Sequence, residues 1–251
     1  MPGPFSPIDE QIRHFFPAEN HPYRKLERLI EAHITPDSTV LDIGCGREAP
    51  TLKRFRGKAA RLIGIDVIDF RTEDGDLDLR RLDVTKMQGI DSGSVDVAWS
   101  RSVMEHVRDA PAAYREVARV LKPGGVYIFL TPNLWDYGSL VAWLVPNRFH
   151  PWIVRHTEGR QEEDTFPTHF SSNTKRRIRK LAGANGLLVE KLDYLNQYPN
   201  YLAFSRPLFY LGSVYARAVD RVPLLRPLSG WLLAVLRKPR HAGDHSAGGR
   251  P

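Results

Sequence analysis

What most constrains this sequence is its alternation of two periodicities. Short apolar runs at 39–43 (TVLDI), 61–67 (RLIGIDV), 94–100 (SVDVAWS) and 125–131 (GVYIFLT) have strand length and β-branched content. Between them the apolar spacing is helical. Leu26, Leu29, Ile30 and Ile34 mark a helix over 22–34, Pro50 opens a short one over 50–55, and Tyr114, Val117, Ala118 and Leu121 line one over 110–121. Asp109 is placed to cap that last helix, and Lys122-Pro123-Gly124-Gly125 to stop it. Alternating strands and helices make βαβ units, which produce a parallel sheet covered on both faces.

The acidic stretch 69–81 reads as a loop ending in a short third strand. Beyond Pro132 the alternation weakens. A basic helix is expected over 175–184, capped by Ser171, Ser172 or Asn173, followed by strands over 186–193 and 231–237. A chain of 251 residues fits one such core. The expected division is a loose Pro-rich arm over 1–20, a main domain over 21–238 and a disordered polar tail over 239–251. Cys45 is the only cysteine, which excludes a disulfide framework and a cysteine-based zinc site. The histidines and acids near His150 and His156 lack tight ligand spacing, so no metal is expected. The uncharged runs at 137–147 and 194–205 are too short to span a bilayer, and the start has no signal-like apolar stretch. The expected location is cytoplasmic, with peripheral membrane contact as an addition.

The first strand ends in a glycine turn, Asp42-Ile43-Gly44-Cys45-Gly46-Arg47-Glu48-Ala49. Glycines there let the backbone turn tightly and let a ligand approach it, on the side of the sheet where ligands bind. Two ligand classes compete. Gly44, Gly46 and Ala49, with Asp66 twenty residues after Gly46, match the pattern of NAD-binding folds. Asp42, two residues before the first glycine, argues against a pyrophosphate and for a positively charged cofactor.

Four ordered blocks then carry a family resemblance: VLDIGCG (40–46), IGIDV (63–67), SVDVAWSRSVMEHV (94–107) and REVARVLKPGGVYIFLTPN (115–133). They resemble the class I S-adenosylmethionine-dependent methyltransferases, in the subgroup similar to the ubiquinone and menaquinone biosynthesis enzymes. Glu48 departs from the family pattern, which often has a third glycine there. The resemblance implies a Rossmann-like seven-stranded α/β sheet, mostly parallel, with an antiparallel last strand. It also implies roles. Gly44, Cys45 and Gly46 would pass close to the methionine part of S-adenosylmethionine, and Asp42 would hold its polar end. Asp66 would accept the ribose hydroxyls, Val67 or Ile68 would pack on the adenine, Asp83 would accept from the adenine amino group, the Val84 backbone would meet the ring edge, and Ser100 would lie near the methionine. Non-catalytic binding by a methyltransferase-like fold, and NAD-dependent oxidoreduction, stand as the alternative activities.

Methyl transfer needs mainly positioning and exclusion of water, so no prominent catalytic constellation is required. The expected acceptor is small or lipid-linked, methylated at oxygen. A hydroxyl acceptor would use a base, for which His106 and His169 are the candidates. The competing reading makes Glu105-His106 a structural pair opening a helix. Aromatic residues over 134–170 suggest a substrate cap, and 196–228 an amphipathic insertion before the last strand.

The net charge of +7 is unevenly placed. Residues 171–251 hold 14 basic and 4 acidic residues, whereas 1–170 hold 22 and 25. This asymmetry suggests an anionic partner, or else a solvated basic face. No nucleic-acid module is recognisable, so a nucleic-acid partner is disfavoured. On a helix over 205–222, with Ser205 as its cap, Arg206, Ser213, Arg217, Asp220 and Arg221 share one polar arc. The apolar remainder is wider than one core contact needs. It would serve a cap contact, a dimer contact or a membrane surface.

Overall fold

The computed structural model describes residues 16–72, 74–136, 166–199, 202 and 205–240. The expected arm, most of the expected cap and nearly all of the expected tail fall on 1–15, 137–165 and 241–251, outside the described residues.

After a short 3-10 turn at Ala18–Asn20, the chain forms α1 (Pro22–His33), β1 (Thr39–Ile43), α2 (Pro50–Lys53), β2 (Arg61–Asp66), β3 (Asp78–Arg81), β4 (Val95–Arg101), α3 (Ala110–Val120) and β5 (Leu121–Pro132). Then follow α4 (Lys175–Ala184), β6 (Leu188–Leu195), α5 (Arg206–Arg221), a 3-10 turn at Pro223–Leu228, and β7 (Trp231–Arg237). The seven strands make one sheet in the order β3-β2-β1-β4-β5-β7-β6. β1, β2, β3, β4 and β5 pair in parallel, and β7 runs antiparallel to both β5 and β6. The seven-stranded, mostly parallel α/β sheet expected from the sequence is present, with its antiparallel last strand.

Burial on both faces explains the near-continuous apolar runs of the central strands. On one face Leu41, Ile43, Ala98 and Phe129 pack with Tyr114 and Val117 of α3 and Ile178 and Leu181 of α4. On the other, Val40, Val97, Trp99 and Ile128 pack with Leu26 and Ile30 of α1 and Leu52 of α2.

The helix ends show where local signals decided and where they did not. Asp109 caps α3, its carboxylate accepting from the Ala112 amide at 3.0 Å. The cap of α4 is Thr174, which accepts from Arg177 N at 3.2 Å, rather than Ser171, Ser172 or Asn173. Ser172 and Asn173 are instead buried. Ser205 stands at the N-cap of α5, but its side chain makes no capping bond. Lys122-Pro123-Gly124-Gly125 interrupts rather than precedes a strand: β5 pairs from Leu121, and the run is looped out between the pairs Val95–Leu121 and Val97–Val126.

Every parallel strand points its C-terminus to the same edge. Because β7 is antiparallel, β6 ends and β7 begins at that edge too, with Leu195 opposite Trp231. The ends of the segment leaving β5 and entering α4 are joined there by Leu134 N donating to Asn173 O at 2.9 Å. The loops beyond this edge carry the chemistry.

Candidate active site

The glycine turn leaves β1 with Gly44 at φ +74° and Gly46 at φ +75°, both in the left-handed region. A Cβ on Gly44 would overlap Val103 Cγ2, whereas nothing lies within 4 Å of where a Cβ on Gly46 would stand. Gly44 therefore serves close packing between the β1 and β4 loops, and Gly46 faces open space. Glu48 is exposed, and the left-handed turn passes instead through Ala49 at φ 46°. The missing third glycine is thus met by strain at an alanine, on the order of 1 kcal/mol.

Asp42 is buried, and its Oδ2 has no hydrogen-bond partner among the described residues. Burial is the main reason its carboxyl is pushed up to about 7; the Asp66 charge adds to this, while Arg101 and the Trp99 indole oppose it. A buried carboxylate with an unpartnered oxygen beside an open glycine turn is suited to a cationic group.

Asp66, at the end of β2, accepts from Gly46 N at 2.8 Å through Oδ2. Its Oδ1 accepts from Val67 N at 2.7 Å and Ile68 N at 3.3 Å. Oδ2, with one donor, keeps a further acceptor position, whereas Oδ1 already accepts two. Asp83 is exposed, with Oδ1 accepting from the amide and the hydroxyl of Thr85, both at 2.8 Å. Val84 is buried in the core beside it, and Val67 is exposed. Ser100 is fully buried and shares a 2.7 Å hydrogen bond with the Tyr127 hydroxyl. The Cys45 side chain is also buried, in the core on the α1 side. Burial and the nearby carboxylates of Asp42 and Asp66 push its thiol far up, so it is inert, and only the Cys45 backbone is left to line the turn.

The backbone segments that carry the two candidate bases meet. The His169 amide donates to Glu105 O at 2.7 Å, next to His106. His106 Nδ1 is 3.1 Å from Pro167 O. A carbonyl only accepts, so Nδ1 carries the proton and Nε2 is the basic nitrogen. Nε2 faces Glu105 Oε1 at 4.0 Å. Glu105-His106 lies in a turn, and α3 starts only at Ala110, so the pair does not open a helix.

Sequence reasoning gave no role to the buried network behind these histidines. Thr131 Oγ1 donates to Glu105 Oε2 at 3.0 Å, and Asn173 Nδ2 donates to Thr131 Oγ1 at 2.7 Å and to Pro132 O at 2.8 Å. Asn133 Nδ2 donates to Pro227 O at 2.7 Å and Ser229 O at 2.8 Å, fixing the turn before β7 over the end of β5. The only forewarning was a Thr and two Asn at strand and helix ends.

Ala49, Ser102 and Phe170 are the non-glycine residues with positive φ among the described residues, and all three border this edge. Strained backbone gathers where function does.

Residues 41–129 match the family model described as a methyltransferase domain. A probable S-adenosylmethionine-dependent methyltransferase of Mycolicibacterium smegmatis is 33% identical over 122 residues, covering 46% of this chain and 47% of that protein. A ubiquinone biosynthesis O-methyltransferase of Hahella chejuensis is 31% identical over 118 residues, covering 43% and 49%. The chain thus spans less than half the length of these curated relatives. Among solved structures, a geranyl diphosphate C-methyltransferase from Streptomyces coelicolor has a TM-score of 0.56 at 17% identity, covering 94% of this chain and all of that one. That likeness concerns the fold.

Proposed function

We propose that this chain, which carries a class I S-adenosylmethionine-dependent methyltransferase domain, transfers a methyl group to an oxygen of a small or lipophilic acceptor. The observation that carries the cofactor assignment is Asp42, a buried carboxylate with an unpartnered oxygen beside the open turn at Gly46. An NAD pyrophosphate would meet that charge unfavourably, and a cationic group would relieve it. S-adenosylmethionine, when bound, supplies an electrophilic methyl on a sulfonium sulfur.

The chain's own residues do the rest. Asp42 holds the cationic end, and the backbone at Gly44, Cys45 and Gly46 lets the methionine part approach. Asp66 keeps the turn in place through Gly46 N and offers the remaining acceptor position of Oδ2 to the ribose, the longer 3.3 Å bond from Ile68 N being the one that would yield to a second hydroxyl. Val67, Val84 and Asp83 flank the adenine, and Ser100, tied to Tyr127, sets the floor beneath the methionine. His106 Nε2 takes the proton of an acceptor hydroxyl, and the Glu105 carboxylate steadies the imidazolium that forms. His169 borders the same mouth, held through its backbone. Support for oxygen comes from this basic nitrogen, and from the resemblance to a ubiquinone biosynthesis O-methyltransferase.

Calorimetry with S-adenosylhomocysteine and with NAD tests the cofactor, and a screen of phenolic and lipid alcohols scored by S-adenosylhomocysteine release tests the acceptor. Binding of the first ligand and not the second is expected; the reverse would overturn the reading. His106→Asn is expected to lower kcat about 100-fold with S-adenosylhomocysteine affinity unchanged. Transfer to carbon or nitrogen acceptors alone would refute the oxygen assignment.

A further inference from the structure

Ten large apolar side chains stand exposed among the described residues. Val67 follows β2, Trp135 follows β5, and Phe166 lies edge-on to His106, so these three border the C-terminal edge of the sheet. The other seven are Leu208, Tyr210, Leu211, Val214, Val222, Leu224 and Leu228, on α5 and the turn after it, which leave and rejoin the sheet at the same edge. Leu224 is 86% exposed and Leu211 63%.

α5 divides into three sectors at about 100° per residue. Phe209, Gly212, Ala216 and Val219 are buried against the protein. Ser213, expected on the polar arc, is buried with them and donates to Phe209 O at 2.8 Å. Val214, Leu211, Tyr215 and Leu208 fill an outward arc of about 120°. Arg206, Arg217 and Arg221 flank it on one side. The Tyr215 hydroxyl donates to Leu228 O at 3.2 Å, so the apolar strip runs on into the 3-10 turn.

The charge around this strip is mainly positive, with the Asp136 carboxylate near Tyr215 as an exception. Asp220 is the only acid within 205–228, and its carboxylate is taken by Asn196 Nδ2 at 2.8 Å. Lys175 lies over the Tyr194 ring at 3.9 Å. Burial holds its ammonium below the ordinary lysine value, and Arg179 and Arg226 push the same way against the pull of Asp193. Cations of α4 and of the turn after α5 therefore crowd together beside the apolar strip.

We infer that the outward face of α5 and the Pro223–Leu228 turn is a docking surface for an anionic membrane. Its apolar strip enters the interfacial region and its arginines meet lipid phosphates. A second copy of the chain would bring like charges against Arg206, Arg221 and Arg226, which an anionic bilayer does not. No helix among the described residues is long and apolar enough to cross a membrane, so the contact is peripheral. The segment that carries this face and the loop that carries His106 leave the sheet at the same edge. On the methyl-transfer reading, on which this consequence alone rests, the acceptor is then a membrane-resident lipophilic hydroxyl compound.

Co-sedimentation of the full chain with phosphatidylglycerol–phosphatidylcholine vesicles tests the surface independently of activity. Binding is expected at low salt, weaker at high salt and on phosphatidylcholine alone. Leu211→Asp with Leu224→Asp, and separately Arg221→Glu with Arg226→Glu, should each weaken it at least 10-fold while S-adenosylhomocysteine affinity stays constant. Absence of co-sedimentation, or retention by both double variants, would overturn the inference. So would a dimer dissociated by the leucine substitutions without vesicle binding. Protection of a Leu224→Cys thiol from alkylation in the free protein, with no vesicle binding, would assign the face to residues 137–165 instead and equally refute it.

Discussion

The amide of Gly46 donates to Asp66 Oδ2 at 2.8 Å across twenty residues of sequence. One carboxylate thus joins the ends of β1 and β2 and fixes the turn against which the proposed cofactor would lie. Its other oxygen accepts from Val67 N and Ile68 N. Asp66→Ala would orphan these amides, with a loss of about 2 kcal/mol in stability and at least 10-fold in S-adenosylhomocysteine affinity. Thermal melts and calorimetry measure the two. Unchanged affinity would refute the site assignment.

Asp42 has the opposite character. Its folded-state value of about 7 exceeds the ordinary 3.8, so the folded chain holds a proton that the unfolded chain releases. Stability from this group is present at low pH and declines as pH rises from about 4 through 7. Asp42→Asn should therefore raise the melting temperature of the ligand-free protein at pH 8, with the gain vanishing near pH 4. The same substitution should weaken S-adenosylmethionine binding. In the wild type that affinity should fall as pH drops below 7, because protonation removes the charge that meets the cation; the variant should lack this dependence.

The two glycines of the turn should separate stability from binding. Gly44→Ala drives a methyl into Val103 at positive φ and should cost about 3 kcal/mol in a denaturant titration. Gly46→Ala meets open space and should cost about 1 kcal/mol, yet it places a methyl where the ligand would lie and should reduce S-adenosylhomocysteine affinity at least 10-fold.

Ser102 combines φ +56° with a buried hydroxyl that has no hydrogen-bond partner among the described residues. Ser102→Gly relieves both and should stabilise the chain by about 1 kcal/mol, read from chemical denaturation. A loss of stability would show that the hydroxyl has a role in the folded protein.

The framework was legible where signals are local. β1 and β7 have the expected ends, Asp109 caps the expected helix, and the glycine turn sits at the expected strand end, because each depends on neighbours within a few residues. Ser213 was misplaced because a serine hydroxyl can bond back to the preceding helical turn and so enter an apolar contact. The Glu105–Thr131–Asn173 network was invisible for a different reason. Its members are 26 and 42 residues apart and meet only because β4, β5 and the start of α4 converge at one edge. Ser172 and Asn173 looked like helix caps because the same residue types fill caps and buried polar junctions.

The antiparallel course of β7 has an evolutionary consequence. Residues 196–230 depart from Leu195 and return at Trp231, which face each other across the β6–β7 ladder. A segment anchored at two paired positions can be lengthened, shortened or exchanged with little change in closure entropy and without shifting β1, β2 or β4. On the methyl-transfer reading, selection for a new acceptor could therefore act on this cassette while the proposed cofactor residues Asp42, Gly46 and Asp66 stay as they are.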